Sequence, residues 1–501
     1  MKRFYTTILC AVAAISSMAT DYTDRLLVLV NGEGTEQTAT ISVTEQDGIY
    51  TLNLKNFILM NGDQPMPVGN VELTGIVPEK VGNALFLRAK QDINVTNGDL
   101  PDVLVWMGPM LGTLPVEVTA VIEGDRLRAT INLDLMNLMG QIIDVRFGES
   151  LVTGQGYHIP NGDFEAWHTS TEGYVEPNAW HSFESATGAV AALAGHHIEK
   201  SDKGRHGSAC ARIYATSIYG IVANGTMTTG RMNAGAFIAT DTNNNAYIDM
   251  SKTEVDGNGD PFYVTLNNRP DSIVFWTKFN QGTANADHPY ATVSAVVTDG
   301  TYYQDPEDKA YTNVVAKAAD RKIAVTGDQW KRIAVAFNYT DNAVDPKAIL
   351  VTISTNADAG QGSKDDEVLV DDLTLVYNNR LQSLNVEGFA PDTYEYEIDA
   401  ISDVDVLQAV ADGRDAYVLK KIEETETGRQ AVVTVYAADL LSHTDYVLKF
   451  KPQANAIANI TGHDAPATQY YTLDGRQVVS PAAGRVYIVR QADGTFRKIA
   501  K

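Results

Sequence analysis

The sequence predicts an all-β chain built of several units in series: a barrel, a large β-sandwich, a smaller sandwich and a terminal pair of hairpins. Three observations carry this. Apolar and polar residues alternate with period two over long stretches, as in strands with one buried and one wet face. Gly, Asn and Asp turn residues punctuate those stretches at short intervals. A chain of 501 residues also exceeds what one hydrophobic core fills, so about three or four units are expected.

Composition narrows the classes. A hydrophobic fraction of 44% is ordinary for a globular protein and excludes a disordered chain. The formal charge of −24 disfavours nucleic acid and anionic membranes as partners. Residues 1–19 read as a signal peptide: Lys2 and Arg3 are followed by an apolar run over Ile8–Ile15, and Ser17-Met18-Ala19 is a small-x-small cleavage site. That run is shorter than the ~20 residues a membrane span needs, and no later stretch approaches that length. Cys10 falls within the leader, leaving Cys210 as the only mature cysteine, so no intramolecular disulfide forms. The expectation is export across the inner membrane, to the outer-membrane surface or beyond.

Residues 20–150 read as antiparallel strands. Thr38, Thr40, Ser42 and Thr44 alternate with Ala39, Ile41 and Val43 before Gln46-Asp47-Gly48 turns the chain into Ile49-Tyr50-Thr51-Leu52. Val116, Val118, Ala120 and Ile122 repeat the pattern across Glu123-Gly124-Asp125 into Leu127, Ala129, Ile131, Leu133 and Leu135. Seven or eight such strands suffice to close a small barrel. In this pattern the segment resembles the calycin-like (lipocalin-like) barrels at the front of exported Bacteroidota proteins. The resemblance implies an apolar interior, filled by the barrel's own side chains or open to a ligand.

A small polar linker, Gly148–Gly156, leads to the largest unit, residues 157–378. Strand patterns occupy Ser272–Thr277, Ala291–Val297, Arg332–Phe337, Ala348–Ser354 and Val368–Val376. Asp305-Pro306-Glu307-Asp308 offers a cap, a proline and acid for one short helix. The unit opens on Asn161-Gly162-Asp163-Phe164-Glu165-Ala166-Trp167 and closes on Val368-Leu369-Val370-Asp371-Asp372-Leu373-Thr374-Leu375. Acids set among strand formers need a reason, because a buried carboxylate is costly unless paired, hydrogen-bonded or metal-bound. The expectation is that the two stretches meet at one edge of a single sandwich. With Trp180 after Glu176-Pro177-Asn178, these motifs resemble the carbohydrate-metabolism domain of Bacteroidota and, more distantly, jelly-roll carbohydrate-binding modules. The resemblance implies a jelly roll and glycan-related work.

Residues 379–452 carry Tyr394, Tyr396 and Ile398 alternating with acids, a buried strand at Val432–Val435, and Tyr446, Leu448 and Phe450. An immunoglobulin-like sandwich is expected. Residues 468–501 break from the acidic chain, with six basic residues from Arg476 to Lys501 against Asp474 and Asp493. Two hairpins are read there, turning at Asp474-Gly475 and Asp493-Gly494. Tyr-x-Leu-Asp-Gly-Arg-x-Val followed by Gly-x-Val-Tyr-Ile-Val resembles the C-terminal sorting domains of the type nine secretion route. That implies the secretion and surface-anchoring machinery as partners.

Two kinds of chemistry follow. Calcium takes several carboxylate and carbonyl oxygens. Asp163 and Glu165 share a strand face at i and i+2, and of adjacent Asp371 and Asp372 one points the same way. In the distant binding-module family the corresponding Glu and Asp help hold a structural calcium, which implies Glu165 and Asp372 here, with Asp371 and Asp163 beside them. Asp256-x-Asn258-x-Asp260 begins like a calcium loop, but Pro261 stands where an EF-hand has glycine, so a surface turn is expected. His196, His197 and His206 near Cys210 lack the tight repeated spacing of a zinc site. Sugar recognition uses aromatic faces; Trp180 is the first candidate, then Trp276 and Trp167, each with core packing as its alternative role. Hydrolysis needs a carboxylate pair, and 63 acids single none out. No HExxH, Gly-x-Ser-x-Gly or phosphate loop occurs. The reading is a non-enzymatic glycan-binding protein at the cell surface, taking a polysaccharide or oligosaccharide, with a calcium staple. A glycan-active hydrolase and a surface adhesin or scaffold are the alternatives.

Overall fold

The computed structural model describes residues 19–61, 64–136, 140–171, 173–340, 344–426, 428–451, 469–491 and 494–500. They fall into two compact units, Met1–Phe450 and Lys451–Lys501, and the fold is all-β as the alternation requires. The leader, apart from Ala19, lies outside the described residues.

Nine strands form the first sheet: β1 Ala19–Val30, β2 Glu33–Gln46, β3 Ile49–Asn61, β4 Gln64–Ile76, β5 Pro78–Val81, β6 Ala84–Asn94, β7 Thr113–Glu123, β8 Arg126–Leu135 and β9 Gln141–Phe147. Their order is β4-β3-β2-β1-β9-β8-β7-β6-β5. The Asp47-Gly48 turn seats both residues at positive φ and pairs Gln46 with Ile49. The short β5 raises the strand number above the seven or eight legible in the sequence. The sheet curls until Asn70 in β4 exchanges backbone bonds with Thr96, just past β6, at 2.8 and 3.1 Å. Gly69 permits that approach, since a Cβ there would sit 2.1 Å from the Thr96 carbonyl oxygen. The inward residues, among them Leu26, Ile41, Leu87, Val118 and Phe147, form the barrel's core, and between Ile41, Leu52, Val118 and Ala129 lies a cavity of about 20 Å³, room for about one water.

The segment read as a linker is ordered: Glu149–Thr153 is a helical turn that buries Leu151. The barrel also packs on its neighbours. Arg128 is buried and donates to Glu123 and Tyr157 at 2.7 Å and to Tyr417 at 3.2 Å, joining barrel, sandwich and smaller unit.

Two sheets make the sandwich. One has five strands in the order Ile198–Ser201, Cys210–Tyr214, Glu367–Val376, Ser272–Asn280, Lys331–Ala336. The other runs Thr226–Thr228, Ala348–Ser354, Tyr290–Thr298, Val314–Ala324, Asn338–Tyr339, with Val264–Thr265 also on Ala348–Ser354. Alternate residues of both sheets, such as Phe275, Phe279, Val293, Ala295, Val351 and Val370, meet in one core. The helix expected at residues 305–308 does not form. Asp305 ends the strand Tyr303–Asp305, and the β-branched residues beyond it lead into Val314–Ala324.

The smaller unit sets a four-stranded sheet (Glu395–Ile398, His443–Phe450, Gly428–Tyr436, Tyr417–Thr425) with the pair Leu381–Leu384 and Ala409–Ala411 around Leu381, Val433, Tyr446 and Leu448. The second compact unit is a four-stranded antiparallel sheet, in which Gln469–Tyr471 pairs both Gln477–Val478 and Val486–Arg490, and the latter pairs Phe496–Ala500. Its turn residue Asp493 lies outside the described residues.

Candidate functional site

The two acid-bearing stretches do meet. Leu373 donates its N–H to the Gly162 carbonyl at 2.7 Å, and a Cβ on Gly162 would lie 2.1 Å from the Leu373 carbonyl oxygen. A bulge frees Leu373 for this contact. Pairing with Ser272–Asn280 shifts between Val274↔Thr374 and Trp276↔Asp371, and Asp372 takes a left-handed φ of 50°. Aspartate tolerates that conformation better than the apolar residues around it.

What the acids hold there is a loop. Glu165 accepts from the Ser208 hydroxyl at 2.6 Å and from the backbone N–H groups of Ser208 and Ala209 at 2.8 and 2.9 Å. Those bonds, the hydroxyl first, hold its carboxyl below the ordinary range. Asp371 is fully buried and accepts from the Arg205 and Asp372 backbone at 2.5 and 2.8 Å; burial pushes its carboxyl up. Asp372 takes the Arg205 guanidinium at 2.5 Å, with His206 Nδ1 at 3.0 Å. Asp163 is exposed. These carboxylates already have protein donors and a guanidinium charge, so as arranged the set does not fit a cation: calcium would have to displace Arg205 from Asp372.

The tryptophans sit elsewhere than a sugar would need. Trp180, the first candidate, has no exposed surface; it packs against Phe164 at 5.3 Å and donates Nε1–H to the Pro160 carbonyl at 3.2 Å. It cannot offer a face to a ligand and is a core residue. Trp167 is half-buried against the same core, its Nε1–H on the Phe164 carbonyl at 2.7 Å. Trp276 projects from the outer face of the five-stranded sheet, opposite in direction to Phe275, and the Arg205 guanidinium covers its ring at 3.9 Å.

The concave site lies on the other side of the sandwich. A groove of about 830 Å³ opens on the outer face of the six-stranded sheet. The three-stranded sheet Arg231–Ala234, Asn244–Ile248, Tyr303–Asp305 covers part of that face through Met232, Ile248, Val296 and Leu350. The uncovered part carries Thr226, Thr292, Ser294, Thr352 and Ser354, which register in adjacent rows as a hydroxyl floor. Three loops form the walls. Tyr219, 83% exposed, tips the hairpin Thr216–Ile218, Ile221–Ala223, and Phe237, 63% exposed, follows the strand Arg231–Ala234. The 357–361 loop is pinned where Asn224 Nδ2 donates to the Gln361 carbonyl at 2.9 Å and His288 Nδ1 meets Asp358 Oδ2 at 2.8 Å. Arg321, on the floor, donates to the Ala357 carbonyl and to Asp358. Asp305 lines the groove with its carboxyl pushed up by burial, against a bond from Ser294 that lowers it.

None of Trp180, Trp276 and Trp167 lines this groove. The exposed aromatic rings at the groove are Tyr219 and Phe237 rather than the tryptophans expected from the sequence. Their signal, an aromatic beside glycine in a loop (Tyr219-Gly220, Gly235-Ala236-Phe237), was present but without period.

No curated protein matches the chain. Solved structures similar to it include the carbohydrate-binding module TmCBM61 in complex with β-1,4-galactotriose, at 10% identity over 43% of this chain and 90% of that one, with a TM-score of 0.20. A second, described under the promiscuous specificity of carbohydrate-binding modules from the β-sandwich superfamily, has 9% identity over 72% and 97%, TM-score 0.20. A third is the M60 catalytic domain with two CBM51 domains from Clostridium perfringens ZmpB, 10% identical over 97% and 44%, TM-score 0.15. At such scores the likeness carries no argument about a ligand, which rests on the groove itself. Residues 18–149 match the calycin-like beta-barrel domain, in agreement with the nine-stranded curled sheet found there.

Proposed function

We propose that the chain is an exported, non-enzymatic glycan-binding protein whose sandwich takes a sugar chain in the groove over the six-stranded sheet. The observation that carries this is the groove's make-up. Its volume lies within the range of small-ligand sites, two exposed rings at its walls can stack on the C–H face of a pyranose, and a row of Ser and Thr hydroxyls with loop amides can meet sugar hydroxyls. Glycan arrays on the full chain, followed by titration calorimetry on Tyr219→Ala and Phe237→Ala, test it. Retained affinity in both variants removes the groove as the site.

Residues 1–19 and 468–501 support export and surface sorting through their sequence patterns alone, and fractionation of cells expressing the chain with and without residues 468–501 tests that part. Calcium at Glu165, Asp371 and Asp372 belongs to the proposal only in exchange for Arg205; a melting midpoint unmoved by calcium after chelation would remove it. A hydrolase reading has one observation in its favour, the raised carboxyl of Asp305 in the groove, as a general acid needs. Reducing-sugar release on any bound glycan, abolished in Asp305→Asn, would establish it.

A further inference from the structure

A second cluster of polar side chains lies away from the groove floor, behind the hairpin Trp167–Thr169, Val175–Pro177. The hairpin register places His168 directly opposite Glu176, so both side chains leave the ribbon on one face. His181 follows four residues after the second strand and pairs with Thr228 of the six-stranded sheet by two backbone bonds of 2.8 Å. Asp256 comes from the tight 256–260 turn, the stretch whose spacing begins like a calcium loop. The side chains of Glu176, His181 and Asp256 have no exposed surface and that of His168 is 8% exposed.

Each of the four has one polar atom held and one left over. His168 Nδ1 meets Asn178 Oδ1 at 3.2 Å, and His181 Nε2 meets the Pro261 carbonyl at 3.4 Å. Glu176 Oε1 accepts from Ser182 N and Ser185 Oγ at 2.6 and 2.9 Å. Asp256 Oδ1 accepts from Asn258 N and Asp260 N at 2.8 and 2.9 Å. The remaining atoms, His168 Nε2, His181 Nδ1, Glu176 Oε2 and Asp256 Oδ2, are all buried without a hydrogen-bond partner. They converge. Asp256 Oδ2 lies 3.5 Å from His168 Nε2 and 3.6 Å from His181 Nδ1, which is 4.0 Å from Glu176 Oε2. One ligand atom each from His168, Glu176 and Asp256 lie within 4.8 Å of one another.

We propose that these four atoms bind one zinc ion in a closed, structural site. Tetrahedral zinc holds nitrogen and oxygen at about 2.0–2.2 Å, which separates its ligands by about 3.3–3.6 Å. Asp256 Oδ2 stands at that spacing from both imidazoles, at 3.5 and 3.6 Å, while the 4.0 Å from His181 to Glu176 and the 4.8 Å within which His168, Glu176 and Asp256 lie exceed it, so the side chains close in when the ion binds. Outer bonds to a carbonyl and an amide turn the two imidazole lone pairs inward, as ligand histidines require. Charge agrees as well: two carboxylates and two neutral imidazoles sum to −2, which a divalent ion cancels where water cannot. Imidazole pairs select zinc over calcium or magnesium. Four protein ligands leave no open position, so the ion braces structure. It ties the 167–177 hairpin and the 255–261 turn to the strand Thr226–Thr228. This assignment is independent of the glycan reading.

The test uses the full chain, stripped with chelator and freed of any tag. Zinc is titrated in and the bound metal counted by mass spectrometry after gel filtration, and Co2+ serves as the spectroscopic probe. The expected result is one zinc per chain, a raised melting midpoint, and the visible d–d absorption of four-coordinate Co2+ without thiolate charge transfer. Glu176→Gln, which keeps shape, and His168→Ala, nearest the surface, should each abolish the four-coordinate spectrum. Asn178→Ala should weaken zinc by roughly 10- to 100-fold. Circular dichroism identifies any variant that fails to fold, and Asn178→Ala then decides, because it removes no ligand. No retained zinc in the native chain, a six-coordinate Co2+ spectrum, a thiolate band from Cys210, a spectrum unchanged in folded Glu176→Gln or His168→Ala, or an unchanged zinc affinity in Asn178→Ala would each overturn the assignment.

Discussion

Replacing Trp180 with alanine separates a core tryptophan from a sugar platform. The side chain has no exposed surface and lies against Phe164. Burying an indole removes about 150–250 Å² from water, worth about 4–6 kcal/mol at ~25 cal/mol per Å². Large-to-small changes at such positions cost about 3–5 kcal/mol once the cavity is counted. The Pro160 carbonyl also loses its Nε1–H donor, adding about 1 kcal/mol. A loss of about 4 kcal/mol is therefore expected, a large fraction of the ~5–15 kcal/mol by which a domain is stable. Urea unfolding followed by near-ultraviolet circular dichroism measures it, and glycan affinity is compared where both proteins remain folded. Tyr219→Ala should give the reverse pattern: stability within about 0.5 kcal/mol and weakened glycan binding. A loss under about 1 kcal/mol in Trp180→Ala, or lost binding at an unchanged unfolding midpoint, would refute the reasoning.

Two further outcomes follow from the seam. Gly162→Ala drives a Cβ into the Leu373 carbonyl oxygen, so urea unfolding should show a loss of at least about 1–3 kcal/mol, the usual range for overpacking; no loss would mean the two stretches are not held in contact. Glu165 has its folded pKa below the unfolded 4.5, so its stabilising effect is present above that value and fades as pH falls through the lower one. The stability gap between wild type and Glu165→Gln should thus shrink in acid, and a gap independent of pH in denaturant titrations would contradict the account.

The fold was legible because its causes are local. Asp47-Gly48 and Glu123-Gly124-Asp125 sit between alternating runs, and the hairpin registers Gln46↔Ile49 and Glu123↔Arg126 are what such turns produce. The meeting of Asn161–Trp167 with Val368–Leu375 was legible from misplaced acids. The short β5 was harder, since four residues give too little pattern. Sites were less legible because side-chain environment is a property of packing. Nothing local distinguishes Trp180, sealed by Phe164, from an exposed ring. Asp256 reads as a surface turn, yet its backbone forms that turn while its carboxylate points inward to His168 and His181, residues about 75 to 90 positions away. No spacing rule spans such a gap.

The most direct measurement of the central claim is calorimetric titration of an array-selected oligosaccharide into the full chain and into the double variant Tyr219→Ala, Phe237→Ala. The account predicts saturable binding to the native chain, an affinity at least about tenfold weaker in the variant (about 1.4 kcal/mol), and an unchanged unfolding midpoint. Equal affinity in the two proteins would contradict it.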